Sequence, residues 1–223
     1  MKNLLPLLVS ALLLLTVNNC LHASDHDYGH WGEYGLNWTL DERWLLNSNA
    51  QFRFRDNLRD FHNYRLETGP AVKINPVLKL GMKFRFEPKE SLTGWNNYYY
   101  LLFDPSLKLY SSDKLNIDFR IRYHRHLGDV GNSFVRVRPR LTCHLIILNH
   151  QIPWFLQNEF WIQTSELGSR DRYNQNRFAS GCKFSLSRSL DLTIFYLWRS
   201  DKIPLPDRWK HIHVMGTALY LNF

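Results

Sequence analysis

Leu115-Asn116-Ile117-Asp118-Phe119-Arg120-Ile121-Arg122-Tyr123-His124 alternates without a break. One set reads Leu, Ile, Phe, Ile, Tyr and the other Asn, Asp, Arg, Arg, His. Successive side chains of a strand point to opposite faces, so period two marks a strand with one apolar and one charged face. The same grammar sets Leu78, Leu80, Met82, Phe84 and Phe86 against Lys79, Gly81, Lys83, Arg85 and Glu87. It recurs with Val135, Val137, Leu141, Cys143 and Leu145 against Arg136, Arg138, Arg140 and His144.

Eleven such segments begin near His30, Trp44, Phe61, Val77, Trp95, Lys114, Ser133, Ile152, Tyr173, Leu190 and Trp209. No amphipathic helix, linker or low-complexity tract interrupts them. Asn75-Pro76, Ser111-Ser112-Asp113, Asn149-His150-Gln151 and Ser187-Arg188-Ser189 carry turn-forming residue types. Longer links are expected between them, at Pro88 to Gly94, Leu127 to Asn132, Ser165 to Arg172 and Ser200 to Arg208. Connections that are short at one end and long at the other are the pattern of outer-membrane barrels.

Alternation also suits a soluble sandwich or a lipocalin-like barrel, whose apolar face points inward. Three features favour the membrane. The segments run to 10–13 residues, whereas soluble strands centre on about 5–6 and a tilted spanning strand needs about 9–11. Trp31, Trp38, Trp44, Trp95, Tyr110, Trp154, Trp198 and Trp209 sit near segment ends, where a bilayer interface would lie. The chain ends on Phe223 after Met215, Thr217, Leu219 and Leu221 at alternate positions. This resembles the closing strand read by the barrel-insertion machinery. The expected fold is therefore a closed, antiparallel, up-and-down transmembrane β-barrel. An even strand number is usual in bacterial barrels. The range is ten to twelve with twelve favoured, although only eleven segments are visible.

Lys2 followed by an apolar stretch from Leu4 to Val17 reads as a secretory leader, with cleavage expected after Ala23. Residues 1–23 are then the signal peptide and 24–223 the barrel domain. A lipoprotein leader using Cys20 is the competing reading. Lys2 is the only Asp, Glu, Lys or Arg among residues 1–23, so the excess of 28 Lys and Arg over 20 Asp and Glu survives its loss. Cys143 and Cys182 fall on the apolar face, two strands apart. A spacing of about 4.8 Å per strand keeps them from pairing.

The chain also resembles the bacterial outer-membrane family catalogued as domain of unknown function 2490, from Trp31 to about Arg199. The carriers are Phe52-Arg53-Phe54-Arg55, Val137-Arg138-Pro139-Arg140-Leu141, Pro153-Trp154 leading to Glu159-Phe160-Trp161, and Asn176-Arg177 leading to Gly181. The resemblance implies an outer-membrane barrel in a Gram-negative envelope and no particular reaction.

The charged faces would line the interior. The expected lumen network comprises Arg53, Arg55, Arg65, Glu67, Arg85, Arg120, Arg122, Arg136, Arg138, Arg140, Glu159 and Arg177. Its role is either structural, with guanidinium forks bridging carboxylates across strands, or a narrow channel favouring small anionic solutes. The alternative of another class is a hydrolase acting on lipid or peptide, with His124, His126 and Ser133 or His211 and His213 at the loop rim. No Gly-x-Ser-x-Gly elbow supports it. His124-x-His126 and His211-x-His213 lack a third ligand at motif distance, so no metal or other cofactor is expected. Outer-membrane lipid and the insertion machinery are the expected partners of a monomer. Nucleic acid is not, because the Arg residues alternate into one sheet face and no nucleic-acid-binding motif is present.

Overall fold

The computed structural model describes residues 27–91, 94–128, 135–147, 152–163, 173–203 and 208–223. The leader, its cleavage site, Ser133 and the turn at Asn149-His150-Gln151 lie outside them. Eleven strands follow in order: β1 (Asp27–Thr39), β2 (Trp44–Arg55), β3 (Asp60–Lys73), β4 (Leu78–Ser91), β5 (Gly94–Ser111), β6 (Leu115–His126), β7 (Val135–Ile147), β8 (Ile152–Gln163), β9 (Tyr173–Ser185), β10 (Leu190–Ile203) and β11 (Arg208–Asn222). Each begins within three residues of a segment expected from the sequence.

Neighbours in sequence pair antiparallel, and β1 pairs β11 to close the barrel. Two expectations change here. The strands described number eleven, within the expected ten to twelve but not the favoured twelve, and the seam is parallel, with Asp27 opposite Ile212 and Asn37 opposite Asn222. The cause is parity. Strands that alternate in direction bring the first and eleventh into the same direction, so only a parallel ladder can close them. The seam is well bonded. Phe223 N–H donates to the Asn37 carbonyl and Thr39 N–H to the Phe223 carbonyl, both at 2.9 Å. Inside the wall, Asn47 Nδ2 donates to Asn37 Oδ1 at 2.9 Å, and Asn37 Nδ2 to Asn222 Oδ1 at 3.0 Å.

The turns at the end shared with Phe223 are short because side chains organise them. Asp41 accepts from the N–H groups of Arg43 and Trp44 at 2.7 Å each, which holds its carboxyl below the ordinary value. Asn75 does the same for Val77 and Leu78. At the opposite end the expected link from Pro88 to Gly94 is mostly strand. Ser91 pairs with Gly94, whose φ of +110° is open to glycine and costly for other residues. The strands thus reach 12–18 residues, longer than the 10–13 expected.

The orientation of the faces settles the membrane reading. Phe84 and Leu141 point outward at 42% and 44% exposure, whereas Arg138 is 4% exposed inside. Lipid offers backbone amides no hydrogen bonds, so a closed barrel with an apolar exterior is a transmembrane β-barrel. Cys143 and Cys182 are both free. By alternation with inward Thr142 and Gly181, they face the lipid. In native membranes a charged methanethiosulfonate added to the aqueous phase should leave both thiols unmodified, and after unfolding in denaturant it should label both. Rapid labelling of the native barrel by the charged reagent would place the apolar face in water.

Candidate functional site

The inward faces meet in a dense belt. Glu159 on β8 is its most heavily used acid. It accepts from Arg120 at 2.7 Å and from Arg138, lies 3.8 Å from Arg177, and takes the Trp161 indole N–H at 3.1 Å. Glu67 accepts from Arg85 at 2.5 Å and faces Arg122 at 3.6 Å. Arg122 also grips Asp104 with a two-pronged bond at 2.6 Å on each arm. Glu87 binds Arg65 at 2.7 Å and takes the Asn63 amide at 2.9 Å. A planar guanidinium presents several donors in a fixed fork, so one Arg can join two strands. Period two on β3 to β8 supplies these partners at matching heights.

Aromatic rings complete the belt. The Arg53 guanidinium lies 3.8 Å from the Trp31 ring centroid. Arg138 and Arg177 stand 4.0 and 4.2 Å from the Trp161 centroid. Desolvated cation–π contacts of this kind contribute about 2 kcal/mol each. Gln51 links Arg53 to Glu33, accepting from Arg53 Nε at 2.7 Å and donating to Glu33 at 2.8 Å. Tyr220 donates its hydroxyl to the same Glu33.

The belt separates two cavities. A larger one of about 790 Å³ opens toward the short turns, and a smaller one of about 300 Å³ toward the other end. Arg53, Arg65 and Arg177 line both, so these three guanidinium groups form the partition. Among the described residues lining the larger cavity, thirteen are Arg or Lys and four are Asp or Glu. Arg53, Lys79, Lys83 and Arg140 have no carboxylate within 4.0 Å among the described residues.

Of the twelve residues expected in the lumen network, eleven line these cavities. Six of them, Arg65, Arg85, Arg120, Arg122, Arg138 and Arg177, reach Glu67, Glu87, Asp104 or Glu159. Arg136 stacks toward Trp161 at 4.9 Å. Arg55 does not join them. It ends β2 at the rim, 45% exposed, and pairs with Asp60 across the hairpin.

The histidines expected at the loop rim separate as well. His124 is 1% exposed inside the belt, with Nε2 3.4 Å from Arg85 Nη1 and its ring 4.3 Å from that of Tyr100. His126 is also buried, beside Tyr98 and Tyr100. His211 Nδ1 lies 3.0 Å from the Ser200 hydroxyl, but Ser200 is only 7% exposed. His213 meets the Tyr196 hydroxyl. Among the described residues no group of His, Cys, Asp and Glu is arranged to hold a metal ion.

Two elements escaped the sequence reading. Asp104 precedes Pro105, which hides it as a lumen acid behind a strand breaker. The lumen also has an apolar wall, with Trp31, Ala179, Leu197 and Val214 packed together and Phe155, Phe195 and Ile212 against them. In β10 and β11 both faces carry apolar residues, so period two weakens there.

Replacing Glu159 with Gln keeps the shape but leaves three buried guanidinium groups without their common counter-charge. Breaking a buried pair costs about 3–5 kcal/mol. The folded band on an unboiled gel should therefore convert to the unfolded form at a lower temperature, and unchanged heat resistance would show that the belt does not hold the barrel together.

Comparison with known proteins adds the following. No curated protein matches the chain. A solved structure of the NanC porin, in a rhombohedral crystal form, is similar with a TM-score of 0.48 and 12% identity, covering 77% of this chain and 86% of that one. The model of the family described as "Protein of unknown function (DUF2490)" matches residues 28–210, which extends the resemblance past Arg199 into the last strand. The chain therefore belongs to the DUF2490 family, proteins of unknown function, and its fold is that of a bacterial outer-membrane β-barrel.

Proposed function

We propose that the protein is a narrow barrel of the outer membrane through which small anionic solutes are admitted in preference to cations. One observation carries this reading. The larger cavity is walled by Arg53, Lys79, Lys83 and Arg140, none of which has a carboxylate partner within salt-bridge distance among the described residues. A purely structural filling would match each buried cation with an acid, as Glu159 and Glu67 do for their neighbours. Surplus positive charge inside low-dielectric walls raises the local concentration of anions and repels cations. The partition of Arg53, Arg65 and Arg177 then limits the size of what passes. Eleven strands suit a narrow path rather than the broad water channel of 16–18 strands.

Export by a leader at residues 1–23, cleaved after Ala23, belongs to the same reading, as does recognition of Phe223 and the strand before it by the insertion machinery. The Arg/Glu belt both stiffens the barrel and sets the constriction in this view, so a structural and a conducting role share the same residues.

Planar bilayers test the proposal. Under a potassium chloride gradient the purified barrel should give a reversal potential of the sign set by chloride. The double substitution Lys83→Gln and Arg140→Gln should move that potential toward zero, because it removes two surplus charges and no salt bridge. A bilayer that stays closed, or one that prefers potassium, would remove the channel reading.

A further inference from the structure

We propose that the larger cavity is a binding site for amphipathic anions, in which a carboxylate, sulfonate or phosphate is joined to an aromatic or aliphatic body. This rests on the reading of the lumen as an anion path and adds what the body of the solute must be.

The cavity has two unlike walls. Lys79 and Lys83 on β4, Arg120 on β6 and Arg140 on β7 form the cationic side. Lys79, Lys83 and Arg140 have no carboxylate within 4.0 Å among the described residues, so their charge is left for an anion in the cavity. The facing side is built by β8 to β11 and β1, where Phe155, Phe195, Leu197, Ala179 and Trp31 line the same space.

An inorganic anion gains nothing from that second wall. An organic body can cover the apolar side while its acid group meets the cations, and sites for small organic molecules have volumes of about 300–1,000 Å³. The cavity's volume of about 790 Å³ falls within that range.

The apolar wall is also shaped to stay open. Phe195 does not project into the lumen to fill it. Its ring lies over Gly216 on the neighbouring strand, where an added Cβ would stand 2.0 Å from Phe195 Cζ. Tyr220 lies over Gly35 in the same way, with an added Cβ 2.2 Å from Cδ1. The two glycines recess the wall by the thickness of a ring.

Calorimetry on the full barrel in lipid nanodiscs, with empty nanodiscs subtracted, tests the inference using benzoate, acetate and benzylamine. Benzoate should bind about tenfold more tightly than acetate, and benzylamine should not bind. Phe195→Ser should bring benzoate down to the acetate level while leaving acetate unchanged. Phe195→Leu, which keeps an apolar side chain against Gly216, should retain most of the advantage and guards against a folding defect. Lys83→Gln with Arg140→Gln should weaken benzoate and acetate alike. Equal binding of benzoate and acetate, or a benzoate advantage untouched by Phe195→Ser, would overturn the apolar half and leave the anion path standing. Binding of benzylamine with neither acid bound would overturn both.

Discussion

A backbone amide in hydrocarbon has no water to bond to, and each unmet group costs several kcal/mol. This constraint governs the whole molecule. It forces the sheet to close, and closure of eleven alternating strands forces the first and last to run parallel. The seam between them carries the same full ladder as its antiparallel neighbours, extended by Phe223 to the last residue of the chain. An edge left open there would expose a row of unpaired groups to lipid.

Closure has a second consequence. Once the apolar face is committed to lipid, every charged residue of the opposite face is confined to a narrow interior. Burying charge is costly unless it is paired, so the inward arginines gather around a few acids. Glu159 serves cations from three other strands, and Glu67 and Asp104 together hold Arg122. The cations left over stand around the larger cavity, which is where a negatively charged solute would find them. The belt and the proposed anion path thus come from one imbalance, more guanidinium and ammonium groups than carboxylates.

Much of this was legible in the sequence. Leu115 to His124 shows both faces of β6, and Trp44, Ile152, Tyr173 and Leu190 mark strand starts to the residue. Strand ends were less legible, since Pro88 and Ser200 read as loop while the ladder carries on through them. Arg55 has the right parity for the lumen but sits too near the rim, and parity says nothing of height. His124 and His126 looked like rim residues because the expected loop starts just after them, yet both are buried inside the barrel. The apolar wall was hidden because Phe195, Leu197 and Val214 lie between outward residues that are themselves apolar or aromatic, leaving no contrast to read.

The sequence alone determined the strands, their faces and the surplus of positive charge, because period two and composition are local properties that survive in any arrangement of the chain. Only the tertiary structure decided which groups meet. Glu159 finds Arg120 across 39 positions and Glu33 finds Tyr220 across 187, and no local pattern encodes such pairings. They follow from the order of strands around the closed wall, and so do the parallel seam, the partition of Arg53, Arg65 and Arg177, and the cavity with one cationic and one apolar side.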